Sequence, residues 1–497
     1  VHTSEGRDAG LQAGAQCEPT HVESRTRAFM SRVGAAGGTA VRIYGMSGLP
    51  AKFDVGIVGL GYVGLTLATV LAEAGNSVIG VEKRRELVDM TNEGIPHFTE
   101  TGLPDALSGV TRSKKLVAAE AFDDSFSCDV YIITVGTPLA ADGVARVDMI
   151  EAAARDIAAN MQDGALVILR STVKIGTTRD VVAPILEASG KRFDIAMCPE
   201  RTLEGKALQE LRELPQIIGA DSQEVADRAA AVFRKLTNSI VGVSSIETAE
   251  IIKLISNTFR DVQFAFANEV ARVCDAFGVS AHEVISSGKL GYNRTNIPLP
   301  GLVGGPCLEK DPHILMESAR TRGVELEITS AGRVVNERQP EETVAFINAE
   351  IARRGLPEPL KINLVGMAFK GQPETSDLRG SMSIKVLDAL KKAHPEAEIG
   401  VYDPVTPQEL LAEEFPDERT FSRFGDAVSG ASVLVIGNNH PSLGTISPRT
   451  IKEFMSPEGF VFDYWNHFSH LPPSELGDSY FAVGRSGAVG GAEPYRG

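Results

Sequence analysis

The sequence predicts an α/β protein in which two doubly wound parallel-sheet domains are joined by a long central helix and a helical domain. Three observations carry this. A strand, a glycine-rich turn and a helix follow one another from Phe53. From Glu247 to Phe277, apolar residues recur at three- and four-residue intervals without a Pro or Gly, the period of one helix face. A strand-and-helix pattern then restarts at Ile362, as expected for a second α/β unit.

The elements follow in order. Residues 1–50 are rich in Gly, Ala and polar residues without a sustained period, and read as a flexible arm to which no function is assigned. Phe53 to Val58 is the first strand, Gly59-Leu60-Gly61-Tyr62-Val63-Gly64 the turn, and the apolar stretch through Leu71 the helix. Further strands are expected at Ser77 to Val81, Val130 to Val135, Ala165 to Leu169 and Phe193 to Met197. The linker Arg353-Arg354-Gly355-Leu356-Pro357-Glu358-Pro359 precedes the second α/β unit. There, Ala397 to Asp403 echoes Asn76 to Glu82 and Ser432 to Gly437 echoes Asp129 to Gly136, as two distant copies of one fold would. The expected division is an arm (1–50), a Rossmann-like domain (51–244), a central helical and dimerisation domain (245–352) and a second Rossmann-like domain (353–497).

Composition narrows the function. A chain of 497 residues, 43% hydrophobic and 23% charged, can bury sizeable cores. Its net charge of −16 repels phosphate backbones and anionic lipid, so a nucleic-acid partner is not expected and an anionic ligand needs a local site. Five cysteines form no CxxC pair, which points to a reducing cytoplasm rather than a disulfide framework. No apolar run of membrane-spanning length and no secretory signal pattern is read, so no membrane partner is expected.

The motifs carry chemistry. Gly59, Gly61 and Gly64 follow a strand, open a helix and precede Glu82 at the end of the next strand, the dinucleotide-binding arrangement of a Rossmann domain. Glu82 would accept from the ribose hydroxyls and repel a 2′-phosphate, which makes NAD the expected cofactor. Cys307 lies in a glycine-rich loop beside Lys310 and a helix start, where a lowered thiol pKa would supply a nucleophile. The apolar surroundings of Cys128, Cys198 and Cys274 suit buried, inert thiols instead. Lys253 and Asn257 share one helix face and could grip a developing oxyanion, although such pairs are usually solvated surface. Glu200 and Glu204 follow a strand end and could act as general bases or be surface acids. Thr137 and Thr172 could line the cofactor cleft or cap helices. No metal site is expected.

Together these segments, with Asn92-Glu93-Gly94, Pro199-Glu200, Gly304 to Asp311, Phe369-Lys370 and Asp377-Leu378-Arg379, resemble the UDP-glucose/GDP-mannose dehydrogenase family from about Phe53 to Arg485. The resemblance implies a two-step oxidation of a sugar C6 hydroxyl through a Cys307 thiohemiacetal and thioester. It implies that Lys253, Asn257 and Asp311 surround the reacting carbon, that Glu200 and Glu204 serve hydrolysis, and that Thr172 holds cofactor and water. Tyr62, Val63, Thr137, Glu204, Lys310 and Arg379 are implied on the cofactor side, with Lys310 near the nicotinamide. Glu200, Lys253, Asn257, Tyr292, Asn293, Arg294, Gly304, Lys370 and Arg379 are implied on the substrate side, Arg294 toward a neighbouring subunit. The implied partners are a nucleoside-diphosphate sugar and a second copy of the chain in a homodimer.

Two positions depart from the family pattern: Glu82 stands where Asp is usual, and Pro199-Glu200-Arg201 is similar to the N-acetylhexosamine enzymes while Glu204 is similar to the glucose enzymes. UDP-glucose leads as expected substrate, with UDP-N-acetylmannosamine, UDP-N-acetylglucosamine and dTDP-glucose as alternatives. A single-oxidation dehydrogenase would not need Cys307, and a catalytically silent nucleotide-sugar sensor would not need the thiol and acids.

Overall fold

The computed structural model describes residues 52–123, 126–140 and 143–485. The expected arm, and with it Cys17, lies outside the described residues. Among the described residues two sheets form. The first runs β3 (Leu116–Ala119), β2 (Val78–Val81), β1 (Lys52–Val58), β4 (Ser127–Ile133), β5 (Ala165–Leu169), β6 (Phe193–Met197), β7 (Gln216–Gly219), β8 (Ile240–Val243). The second runs β11 (Arg419–Thr420), β10 (Glu398–Tyr402), β9 (Lys361–Val365), β12 (Val433–Ile436), β13 (Phe460–Asp463), β14 (Tyr480–Ala482). The predicted echo is thus topological, since β9, β10 and β12 hold the places in the second sheet that β1, β2 and β4 hold in the first.

The strands read as short apolar runs because both faces of each sheet are covered. Ile57, Val78, Ile132 and Ile168 pack on one side of the first sheet and Val58, Ile79, Ile133 and Leu169 on the other; Leu364, Val433 and Phe462 divide from Val365, Leu434 and Val461 in the same way in the second. Each such side chain stabilises the fold by roughly 1.5–3 kcal/mol. One pairing departs from the all-parallel expectation. β7 meets β6 antiparallel through a single register pair, Met197 with Gly219, because the segment between them turns back as a loop and the helix Ala207–Glu213 instead of crossing over.

Helix α1 spans Tyr62–Glu73. The long helix, α2 (Ile246–Phe277), has 32 residues and so runs about 48 Å. Ser245 caps its start by accepting from the Thr248 N–H, and Gly278, at φ 66°, ends it. Its apolar stripe lies largely at the surface, on a helix expected to belong to a dimerisation domain. Ile251, Ile255, Phe259, Phe266, Val273 and Phe277 are exposed, while Glu250, Lys253, Asn257, Asp261 and Asn268 are buried. After α3 (Ala281–Lys289), α4 (Asp311–Arg320) and α5 (Glu327–Glu337) pack on the polar side of α2, and α6 (Gln339–Arg354) leads to the second sheet and packs on α7 (Met382–Ala393). No helix among the described residues is long and apolar enough to cross a membrane.

Candidate active site

The cofactor loop follows from sterics. Gly59 adopts φ 92°, a conformation unfavourable for a side chain. A Cβ at Gly64 would stand 1.8 Å from the Gly59 carbonyl oxygen, so helix and strand could not close. A Cβ at Gly61 would meet nothing within 4 Å, leaving clear space over the loop. The first turn of α1, with Tyr62 and Val63 half-buried, has neither an acidic residue nor a side-chain cap, so its amides can receive an anion. Glu82 directly follows β2, accepts from the Leu60 N–H at 3.2 Å, and pairs with Arg84 at 3.0 Å. Burial pushes its carboxyl up, but Arg84 and the Leu60 N–H outweigh that and hold it below the usual range. A dinucleotide fits these residues, with Glu82 ionised toward a ribose.

Beyond β4 and β5, the Thr137 hydroxyl donates to the Thr172 carbonyl at 2.5 Å. This bond ties two strand-end loops together, so neither threonine is a helix cap. Lys310 Nζ approaches Thr137 Oγ1 at 3.5 Å and Asp311 Oδ1 at 3.1 Å. Asp311 is fully buried and accepts from Asn257 Nδ2 at 2.6 Å. Lys253 and Asn257, each only 8% exposed, thus belong to an interior cluster and not to a solvated face.

Cys307 sits in the helical turn Gly305–Leu308 and is exposed, with Lys253, Asp311, Lys310 and Glu204 close enough to act on its thiol. Burial pushes its thiol up, Lys253 and Lys310 pull it down, and Asp311 and Glu204 push it up; the net direction is upward. This corrects the expectation of a lowered pKa. A four-residue turn is too short to supply much dipole, and two nearby carboxylates oppose the two ammonium groups. Cys128 and Cys198 are pushed up to about 12 by burial, and Cys274 is raised by burial. All three are buried and free, as their surroundings suggested.

The second α/β unit closes on this turn. The Gly305 N–H donates to the Gly380 carbonyl at 2.7 Å. A Cβ at Gly304 would lie 2.4 Å from that same carbonyl oxygen, and one at Gly305 would lie 2.4 Å from the Phe369 ring. Gly304 therefore allows a backbone approach between domains. Behind the turn, Arg333 donates to Asp261 at 2.7 Å and to the Leu308 carbonyl at 3.2 Å. Asn268 grips Gly301 in both directions, accepting from its N–H at 2.9 Å and donating to its carbonyl at 3.2 Å.

The two candidate acids separate. Glu200 Oε2 takes two bonds from the buried Arg170, at 2.6 and 2.9 Å, and Oε1 accepts from the Arg201 and Thr202 amides at 2.7 and 2.8 Å. Burial pushes this carboxyl up, yet Arg170 prevails and holds it low. Both oxygens are thus occupied, and the bonds to the two amides shape the following loop. Glu204 differs. Burial and Asp377 push it up, and Thr375, Lys370 and Arg379 only partly offset them. Its Oε1 accepts from Thr375 at 2.7 Å. The two neighbouring carboxyls thus shift in opposite directions.

Lys370 donates to the Glu204 carbonyl at 2.6 Å, and Arg379 pairs with Asp377 at 2.5 Å. Both carry charge toward Cys307 from the second unit. Tyr292, Asn293 and Arg294 stand outside this hydrogen-bonded cluster on an exposed turn after α3, Arg294 lying 5.4 Å from the Tyr292 ring centre. Sequence reasoning missed Arg170, Asp261, Asn268, Arg333 and Glu100. Each is a lone charged or polar residue in an ordinary segment, and only the fold supplies its partner. No group of three or more metal-ligating side chains occurs among the described residues.

A glycine-rich dinucleotide loop and a cysteine turn against which a second Rossmann-like unit packs fit an NAD-dependent dehydrogenase. The chain belongs to the UDP-glucose/GDP-mannose dehydrogenase family, whose NAD binding domain matches residues 53–237, central domain 247–338 and UDP binding domain 363–470. It is 31% identical over 428 residues to the UDP-N-acetyl-D-mannosamine dehydrogenase of Pyrococcus horikoshii, covering 82% of this chain and 98% of that protein. It is also 31% identical to the UDP-glucose 6-dehydrogenase of Haloferax volcanii, over 78% of this chain and 91% of that one. The solved UDP-D-ManNAc dehydrogenase of Pyrococcus horikoshii superposes with a TM-score of 0.78 at 30% identity, covering 88% of this chain and all of that one.

Proposed function

We propose that this dehydrogenase oxidises C6 of a UDP-N-acetylhexosamine, UDP-N-acetylmannosamine first among them, from alcohol through aldehyde to carboxylate. The observation that carries the reading is the convergence of Cys307, Lys253, Asn257, Asp311 and Glu204 in one interdomain cleft. The sugar is inferred from the names of relatives such as that of Pyrococcus horikoshii and from Pro199-Glu200-Arg201, which is similar to the N-acetylhexosamine branch. UDP-glucose, the leading expectation from sequence, becomes the second reading; Glu204 and the Haloferax volcanii relative favour it.

NAD, when bound, supplies the hydride acceptor for both oxidations. In the first, Lys253 and Asn257 stabilise negative charge on the C6 oxygen as its proton leaves. Cys307 Sγ then adds to the aldehyde carbon and the carbonyl oxygen becomes the thiohemiacetal hydroxyl. Loss of hydride and the hydroxyl proton leaves a thioester. Glu204 takes a proton from water, whose oxygen attacks the thioester carbon; the C–S bond breaks and the thiolate leaves. Lys253 and Lys310, close enough to draw the thiol down, stabilise the thiolate in both roles.

The exposed apolar stripe of α2 forms, in this reading, a self-complementary homodimer interface, and the exposed Arg294 serves a neighbouring subunit. The test is NADH released per sugar consumed on UDP-N-acetylmannosamine, UDP-N-acetylglucosamine, UDP-glucose and dTDP-glucose. Two NADH on the first is the expected result. One NADH on every sugar would defeat the double oxidation, and two on UDP-glucose alone would move the substrate to the second reading. Cys307→Ala is expected to abolish acid formation while NAD still binds.

A further inference from the structure

Glu100 is 4% exposed and lies in the NAD-binding half, far in sequence from the proposed hydrolytic loop. Its Oε1 accepts from the Ala207 N–H at 2.8 Å, and its Oε2 from the Gly205 N–H at 2.7 Å and from the Tyr62 hydroxyl. Tyr62 Oη in turn accepts from the Gly205 N–H at 3.0 Å. The carboxylate thus holds the backbone on the carboxyl-terminal side of Glu204, and it does so beside the first residue of the cofactor helix. On the opposite side, Lys370 and Thr375 hold the Glu204 carbonyl and carboxylate. Gly205, at φ 90°, leaves no room for a side chain against Pro373, where a Cβ would come within 2.7 Å.

We infer that Glu100 is a positioning residue for the hydrolytic half-reaction, fixing Glu204 at the distance from Cys307 at which it can deprotonate the attacking water. This rests on the thioester reading above. A carboxylate suits the place because its oxygens only accept, and the three groups that face them all donate. A glutamine there can turn its oxygen to Gly205 and Tyr62 only by setting its NH2 against the Ala207 N–H. The loop must then shift, and a misplacement near 1 Å costs on the order of 10²-fold in rate. The first oxidation does not use Glu204, so the loss falls on release of acid.

The experiment compares Glu100→Gln, Glu100→Asp and Glu204→Gln with the unmodified enzyme. Each is mixed with NAD and UDP-N-acetylmannosamine, or whichever sugar the unmodified enzyme oxidises, then acid-quenched and analysed by intact mass and peptide mapping at Cys307. Thermal melting and NAD titration check folding. The expected result is an NADH burst followed by slow turnover, with an acyl adduct on Cys307, in Glu204→Gln and Glu100→Gln alike. Glu100→Asp keeps both acceptors and is expected to turn over faster than Glu100→Gln. An adduct in Glu204→Gln but none in either well-folded Glu100 variant overturns the inference and leaves the thioester reading standing. No adduct in any variant overturns the thioester reading itself. If Glu100→Gln fails to fold, the same criteria apply to Glu100→Asp, for which slowed turnover with an adduct supports the inference.

Discussion

Replacing Arg333 by methionine tests how the cysteine turn is held. Arg333 is 2% exposed and donates to Asp261 Oδ1 at 2.7 Å, Glu337 Oε1 at 2.9 Å and the Leu308 carbonyl at 3.2 Å. Asp261 is fully buried, and its Oδ2 has no hydrogen-bond partner even with the arginine present. Removing one member of such a pair strands the other charge, at a cost of about 3–5 kcal/mol. Burial pushes the Asp261 carboxyl above its ordinary range, and Arg333 and Asn336 only partly pull it back. Without Arg333 the folded value rises further. Between the unfolded value and that raised one, the native state binds more protons than the unfolded state, so stability falls as pH rises through the window. The deficit of Arg333→Met is therefore small in acid and complete above the raised value.

Urea denaturation of the holoenzyme, followed by far-ultraviolet circular dichroism and by Trp465, the single tryptophan, measures this. Agreement of the two probes establishes that one transition is being read. The double variant Asp261→Leu/Arg333→Met removes both charges and is expected to recover most of the loss. Loss of the Leu308 anchor should separately lower kcat by about 10- to 100-fold. A single variant losing under about 1 kcal/mol, or a double variant no more stable than the single one, would refute the stranded-charge argument.

With Glu204 as base, kcat rises with pH through its raised pKa, and Thr375→Val, by removing a bond that lowers it, should move that limb to higher pH; movement to lower pH would exclude Glu204 from the role. Phe259→Glu and Phe266→Glu place charge on the exposed stripe of α2 and should give monomers by light scattering, with acid production reduced if Arg294 serves the neighbouring subunit. Glu82→Ser releases Arg84 from its ion pair and removes the charge that opposes a 2′-phosphate. The ratio of kcat/KM for NADP to that for NAD should rise by at least about tenfold, and an unchanged ratio would show that Glu82 does not set the preference.

The fold was legible because the buried strands are uninterrupted apolar runs; Ala165 to Leu169 and Phe193 to Met197 coincide with β5 and β6. The antiparallel contact of β7 was not, since a buried strand carries no mark of its direction. The long helix was visible by period, but which face turns inward was not. Periodicity identifies an apolar stripe, and it does not distinguish a core from a partner. Here the inward face is occupied by Glu250, Lys253, Asn257, Asp261 and Asn268, so the segment's polarity was a record of the site. Gly59 and Gly64 were readable because the geometry of the turn demands glycine there. Glu100 and Arg333 were not, because a lone charge in a sequence gives no sign of what it will meet.

That inward polar face explains how the cleft is organised. Glu250 accepts from the Thr178 N–H at 3.0 Å and thereby fixes α2 to the first sheet's loops. Lys253 and Asn257 come next along the same face, and Asp261 and Asn268 then hold the turn and loop around Cys307. Burying this many polar groups is unfavourable unless they are paired, and the pairs reach into the first sheet's domain, Glu250 to Thr178, and into the helical domain, Asn257 to Asp311, Asp261 to Arg333 and Asn268 to Gly301. The helix therefore spans from the Gly176–Thr178 segment of the first domain to the turn that carries Cys307. A shift of the first sheet's domain against the helical domain breaks charged hydrogen bonds, whereas a slide of apolar surfaces would cost little. The geometry around Cys307 is held by directional bonds, and the apolar surface of the same helix stays exposed, as the proposed dimer requires.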